Sequence, residues 1–431
     1  MTPQGVSGST PGVVDEYAEA IDFLVQLGAS LIRTGSAVTD VQDRLQLVAA
    51  RLGLDDTDIV VLPTAVLIQS RTGSLKQSRL SSFRRSWLRL DQIGDIDELA
   101  RRAERGEVSV REGLERLALI ASAPPTHGAP VRVLGMGVLS GGFALLLQPT
   151  LAGVALALVL GLLVGVLRVV ELPRLEAVLP VLATFAVSAV VFEFTARYEI
   201  DNPIRMLIPP LVLFLPGAAL TTGTMELAAG DTVSGASRLV EGVVTLLLLA
   251  FGILIAAQLA GVPDSELLDD PTGRLGWIAP IVGLVVITLG HYLHNCAPLG
   301  ATGWILLVTG VAFGGQAAGA ALVSPELSGF FGAIVMTPLI LSLSRRPAGP
   351  PEMTMFLPAF WVLVPGATGL IGVTEAVGVT GVAASDFTET AVTVASITLG
   401  ILLGAAMWNA SNEAASYARG LIGDLRSDRS P

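Results

Sequence analysis

Between residues 131 and 418 the chain carries ten apolar runs of about twenty residues, the length a helix needs to cross a hydrocarbon core of about 30 Å. Charged residues, proline and glycine divide them at 131–148, 150–168, 175–195, 204–222, 236–261, 276–295, 299–320, 327–344, 355–374 and 387–409. The runs are continuously apolar rather than alternating, so the backbone can satisfy its own polar groups in lipid only as helices. Composition agrees: 52% of the 431 residues are apolar and 15% are charged, and mean hydropathy is +0.68. An ordinary soluble enzyme is excluded on these grounds. The net charge of −11 also argues against a nucleic-acid partner, since no basic face is concentrated anywhere.

Residues 1–130 are a different material, holding 14 of the 26 Lys/Arg and 17 of the 37 Asp/Glu. Residues 1–14 are small and polar, which predicts a disordered start without a cleaved signal peptide. From Asp15 to Ile32 the spacing of Tyr17, Ile21, Leu24, Leu27 and Leu31 predicts an amphipathic helix, and a second is expected from Thr39, as cap, to Leu52. Two β-like runs follow, Asp58–Leu62 and Ala65–Gln69. A third run, 78–90, carries Arg79, Arg84, Arg85 and Arg89 and reads either as a solvated face or as a contact for anionic groups beside a membrane. Helices are predicted over Ile96–Arg105 and Val110–Ala121, the latter opened by a capping box from Ser109 to Glu112. The expected unit is a small α+β domain over 15–122, followed by a linker over 123–130. It holds no nucleophile with a base beside it, and Cys296, the single cysteine, excludes an internal disulfide.

An internal repeat organises the membrane part. Ile208-Pro209-Pro210 and Pro216-Gly217-Ala218 match Leu357-Pro358-Ala359 and Pro365-Gly366-Ala367 at a constant offset of 149. Gly223 then pairs with Gly372 and Glu226 with Glu375; after a one-residue deletion Glu241 pairs with Glu389 and Gly252 with Gly400. The offset splits ten spans into five and five, 131–271 and 272–418, with a tail over 419–431. An odd number of spans per half forces the second half into the membrane upside down, the plan of an inverted-repeat transporter. The expected fold is therefore a polytopic α-helical membrane protein of ten transmembrane helices in two inverted five-helix repeats, plus the α+β domain. Arg168, Arg174, Arg345, Arg346 and the Arg419–Arg429 tail fall on one side and the acidic loop Asp264–Asp270 on the other, which predicts both termini in the cytoplasm; Arg197 and Arg205 run against this scheme.

Proline beside glycine should interrupt the fourth and ninth spans, and paired broken helices point to a midplane substrate site. The candidate substrate contacts are Pro216, Gly217, Ala218, Thr221, Thr222 and their counterparts Pro365, Gly366, Ala367, Thr368, joined by His291 and Asn295. Glu241, Glu389, Glu226 and Glu375 are the proton-coupling candidates, because a carboxyl in an apolar span must be neutral, paired or wet. Glu241 reads equally as a carrier or as a partner of Arg238, and Glu193 with Arg197 reads as an internal ion pair. His291, His294, Asn295 and Cys296 supply too few ligands for a zinc site, and Gly135-x-Gly137 reads as helix packing. No Walker segment is present, so an ion gradient is the expected energy source and no cofactor is expected.

The run Leu-Gly-Ala-Ser-Leu-Ile-Arg-Thr-Gly from Leu27, the run Leu47–Leu54, Leu62-Pro63-Thr64 and the duplicated Pro-Gly element together resemble the threonine/serine exporter family. The resemblance covers about residues 15–415 and implies a ten-span secondary exporter of threonine and serine driven by the proton-motive force. Relatives split between two chains are associated with dicarboxylate export, so succinate is the alternative cargo. The partners implied are a small amino or organic acid, protons and the bilayer of a bacterial inner membrane, with homo-oligomers allowed. A passive channel would show oligomeric rather than internal symmetry, and a membrane-anchored hydrolase would need a nucleophile the first domain lacks.

Overall fold

A computed structural model describes residues 11–54, 56–72, 75–83, 88–147, 150–170, 178–198, 203–262, 275–346, 349–363, 370–371, 373–374 and 391–411. Two compact units are present: residues 1–125 together with Glu226–Ser237, and Thr126–Met225 together with 238–431.

In the N-terminal unit helix α1 (Pro11–Arg33) begins at Pro11, within the stretch expected to be disordered. It lies with α2 (Val38–Arg51) over an antiparallel meander, β1 (Thr57–Leu62), β2 (Ala65–Thr72) and β3 (Leu75–Ser82). The pairing of Leu62 with Ala65 fixes a tight hairpin, and alternation then turns Ile59, Val61, Val66 and Ile68 inward onto Leu24, Leu27 and Leu31. Gly28 lets α1 lie close to α2 and β2: a Cβ there would stand 2.7 Å from a methyl of Leu45, which would have to swing aside. Helices α3 (Leu90–Glu104) and α4 (Val110–Ser122) complete the unit. The amide of Glu112 donates to Ser109 Oγ at 3.3 Å, the cap read from sequence. Thr39 does not cap α2: the N-cap position is Ala37, without a side-chain bond, and the acceptor for the first turn comes from far along the chain, as described below. In the basic run, Arg79 pairs with Asp22 at 2.8 Å and Arg89 with Asp91 at 3.1 Å; Arg84 and Arg85 lie outside the described residues.

The second unit is helical. Among the described residues, six helices are long and apolar enough to cross a membrane: α5 (Ala129–Leu147), α6 (Leu151–Val169), α7 (Leu179–Tyr198), α10 (Thr232–Ala260), α12 (Leu299–Leu322) and α15 (Ala391–Ser411). A seventh candidate is the bent pair formed by α8 (Pro203–Leu211) and α9 (Gly217–Ala229). Three shorter apolar helices accompany them: α11 (Ile278–His294), α13 (Ser328–Ser344) and α14 (Glu352–Leu363). Large apolar side chains such as Val240, Val244, Leu247 and Phe251 of α10 face outward, the surface a lipid solvent permits.

Helix starts recur along this unit at the offset of the sequence repeat. Ala129 is so related to Ile278, Leu179 to Ser328 and Pro203 to Glu352, while Leu151 and Leu299 fall one position short of it. Packing recurs too. A Cβ on Gly252 of α10 would meet Val181 O, Thr184 Cβ and Phe185 N of α7. One on Gly400 of α15 would meet Phe330 O, Ala333 Cβ and Ile334 N of α13, the repeat counterparts of those three residues in the same order. Helices α5 and α11, which correspond in this series, approach each other through glycines. Gly135 lies against Leu293 and His294, and Gly142 against Val286 and Ile287; Gly283 lies against Leu145 and Leu146, and Gly290 against Leu139. Positions rising along α5 meet positions falling along α11, so the two helices run antiparallel. Gly137 contacts Leu162 of α6, so the Gly135-x-Gly137 pair is helix packing, as its apolar setting predicted.

Candidate functional site

Pro209 and Pro210 remove two donors inside α8, and the chain tightens into a single 3-10 turn over Val212–Phe214. Leu215 is extended, Pro216 O accepts the amide of Leu220 at 3.0 Å, and α9 leaves at 64° to α8. A break of this kind strands carbonyls that lipid cannot solvate. One of them, Leu213 O, is met by Arg168 Nη1 of α6 at 3.4 Å, and the guanidinium also sits 5.3 Å over the ring of Phe214. Helix α14 carries Pro358 and ends at Leu363, whose carbonyl is met by Gln316 Nε2 of α12 at 3.3 Å. The spacing from Arg168 to Gln316 falls one position short of the repeat offset, and that from Leu213 to Leu363 one position beyond it. Helices α6 and α12 thus each supply a side-chain donor to a carbonyl near the end of a proline-containing helical segment.

Residues from late helices and from α9 pack across two apolar clusters of the second unit. Val362, Leu370 and Val373 sit in the core made by α5–α8, α10 and α11. Ala218 and Met225 of α9 in turn pack against the core made by α12–α15. His291 of α11 is fully buried, stacked on Trp361 of α14 with ring centroids 5.2 Å apart, and its Nδ1 bonds to the side-chain amide of Asn295 at 2.8 Å. Two candidates read from sequence, His291 and Asn295, therefore meet beside α14. Among the described residues, His291 Nε2 and Thr221 Oγ1 are buried without a partner. Such atoms inside a protein are expensive unless something polar reaches them. Gly217 and Ala218 open α9, and Thr222 is half-buried one turn further on.

Pro365, Gly366, Ala367, Thr368, Glu375 and Glu389 lie outside the described residues. Glu226 is fully buried, and its Oε1 accepts the amide of Val38 at 3.0 Å within the N-terminal unit. This is the acceptor missing from Ala37, a carboxylate on the positive end of α2 supplied from 188 residues away. Glu241 is exposed on α10 while Arg238 is buried, and both make polar interactions. The expected Glu193–Arg197 pair is absent: both side chains are exposed along one surface groove and no ion pair joins them. A four-residue spacing on a helix gains only a few tenths of a kcal/mol, too little by itself to hold two long side chains in one geometry. Sequence reading missed Arg168 as more than a topology marker, and missed Gln316 and Trp361 altogether.

The family model described as "Putative threonine/serine exporter" matches residues 22–260, from the first helix of the N-terminal unit through α10. The chain belongs to the threonine/serine exporter family. An uncharacterized protein of Schizosaccharomyces pombe is 26% identical over 278 residues, which cover 60% of this chain and 32% of that relative. The match thus spans about a third of the length of that relative. No solved structure matches.

Proposed function

We propose that this chain is a secondary active exporter of threonine and serine, built as ten spans in two inverted halves, exchanging its cargo for protons across a bacterial inner membrane. The observation that carries the reading is the recurrence of helix starts at the offset of the sequence repeat, combined with the antiparallel crossing of the corresponding helices α5 and α11. A two-fold axis in the membrane plane relates two copies of one helix antiparallel, whereas an axis along the membrane normal would leave them parallel. The three shorter apolar helices fall in this series as the sixth, eighth and ninth spans. The substrate then binds between the Pro216-Gly217 and Pro365-Gly366 breaks, where His291, Asn295 and Thr221 offer polar atoms, and Ala218, Thr222, Ala367 and Thr368 line the approach. Coupling falls to Glu241 and Glu389, with Glu226 and Glu375 next.

Efflux of labelled threonine, serine and succinate from liposomes holding the purified chain tests this reading. Threonine and serine leave faster than succinate, and external unlabelled threonine accelerates the exit of labelled threonine, which a channel does not do. Glu→Gln, made singly at the four glutamates, fixes the neutral form; at the coupling position it abolishes pH-driven efflux and spares exchange at equal concentrations. Wild-type rates in all four variants would end the carboxylate account and move the test to His291. Succinate efflux without threonine efflux would assign the dicarboxylate alternative.

A further inference from the structure

Two histidines lie one turn apart at the end of α11, and their Nδ1 atoms meet opposite kinds of partner. His294 Nδ1 faces the carbonyl of Arg132 at 2.8 Å, an atom that only accepts, so this ring donates from Nδ1. His291 Nδ1 faces the side-chain amide nitrogen of Asn295 at 2.8 Å, a group that only donates. Nδ1 of His291 therefore accepts, and the ring is neutral with its proton on Nε2. The turn after the helix builds that contact. The amides of Asn295 and Ala297 both bond to His291 O, at 3.1 and 3.2 Å, and Cys296 between them sits at φ 54°. Among the described residues no other non-glycine residue enters this left-handed region, where a side chain is disfavoured and surrounding contacts must hold the backbone. The remaining polar atom of the ring, Nε2, is buried without a partner. Around it the surface is apolar. The ring lies on Trp361 with 15° between the planes, and Trp361 packs against both apolar clusters of this unit. Ile287, one turn before His291, and Val362, next to Trp361, belong to the first of these clusters. A carboxylate drawn into such surroundings needs a cation or several donors, whereas one neutral N–H matches one neutral oxygen.

We propose that His291 Nε2–H donates to the side-chain hydroxyl oxygen of the exported amino acid, with Asn295 the positioning residue that fixes the tautomer and Trp361 the wall on which the ring rests. This rests on the exporter reading above and deepens it, making His291 the residue that tells a hydroxy amino acid from its deoxy analogue. A cargo without that oxygen leaves a buried donor unpaired, and a site built to bond a hydroxyl discriminates mainly through that loss.

Counterflow of labelled threonine in liposomes, competed by L-threonine and by L-α-aminobutyrate, which carries hydrogen in place of the hydroxyl, tests the assignment. In the wild type α-aminobutyrate competes about tenfold or more weakly than threonine, the size of one buried hydrogen bond left unmade. His291→Phe keeps a ring against Trp361 and removes the donor, so threonine loses potency until the two competitors agree within about twofold, while α-aminobutyrate is little changed. His291→Gln, whose amide nitrogen can stand in for Nε2, keeps a preference of about threefold or more. An unchanged ratio in His291→Phe overturns the assignment, because Nε2 would then meet something other than the cargo. The tautomer is read without relying on transport. The chain has 3 histidines, and NMR of protein labelled at the histidine nitrogens assigns His291 by the signals lost in His291→Phe or, if that variant is not recovered folded, in His291→Gln. Those signals belong to an imidazole protonated on Nε2 and shift with threonine but not with α-aminobutyrate. A proton on Nδ1 of His291, or an equal shift with both compounds, overturns the proposal. Equal potency of the two competitors in the wild type defeats the hydroxyl contact and leaves the exporter reading standing. Absence of threonine counterflow in the wild type overturns both.

Discussion

At the scale of single residues, the buried carboxylate of Glu226 carries the most specific consequence. It replaces a local cap on α2, where Ala37 offers no side-chain acceptor. Glu226→Ala leaves the Val38 amide buried and unsatisfied, at a cost of about 1–3 kcal/mol, and hydrogen exchange at Val38 accelerates while that at Ile59 of β1 is unchanged. Glu226→Gln keeps an acceptor oxygen and loses only the charge at the helix N-terminus, so exchange rises less. Equal protection of Val38 in all three proteins would contradict this role. The residue scale also shows what a sequence can and cannot announce. Ser109 caps α4 through Glu112, three residues away, and is readable by spacing; the Val38–Glu226 bond joins positions 188 apart and has no local signature. Arg168 and Gln316 share a duty but not a residue type, so matching residues along the repeat passes over them.

At the scale of elements, glycine sets how closely helices approach. A Cβ on Gly290 would stand 2.6 Å from Leu139 Cα, a backbone atom that cannot swing aside, whereas one on Gly310 of α12 would meet nothing within 4 Å. Gly290→Ala therefore forces α5 and α11 apart and destabilises the folded protein by about 1–3 kcal/mol, while Gly310→Ala is neutral; thermal unfolding in detergent micelles distinguishes them. Comparable loss from both substitutions would mean that the crossing is not the constraint. Span positions are legible because apolar length is a strong signal: 150–168 becomes Leu151–Val169, and 299–320 becomes Leu299–Leu322, while 327–344 becomes the shorter apolar helix Ser328–Ser344. The fourth span is legible as interrupted, since Pro216-Gly217 sits within it, but its two pieces and the 64° turn between them follow from tertiary contacts on the freed carbonyls. Helix α3 begins at Leu90, six residues ahead of its apolar pattern, because the polar first turn is held by Arg89 and Gln92.

At the scale of the whole molecule, the duplicated sequence element predicts duplicated packing, and the matched contacts of Gly252 and Gly400 are its physical counterpart. From the distribution of arginines between the spans, we propose that both termini lie in the cytoplasm. Cysteines placed singly at Ser9 and Ser427 in a Cys296→Ala background react with a membrane-impermeant maleimide only after the cells are opened; labelling of either in intact cells would require another topology. Energy coupling is the central claim, and it is tested most directly by accumulation. Liposomes containing the chain are loaded at equal internal and external labelled threonine, and a gradient of one pH unit is imposed. For one proton exchanged per threonine, the label moves uphill toward the more acidic compartment, up to about tenfold, because one pH unit and a tenfold concentration ratio are the same free energy. Reversing the gradient reverses the movement, and a protonophore abolishes it. Threonine that stays at equal concentrations on both sides under either gradient would contradict a proton-driven exporter.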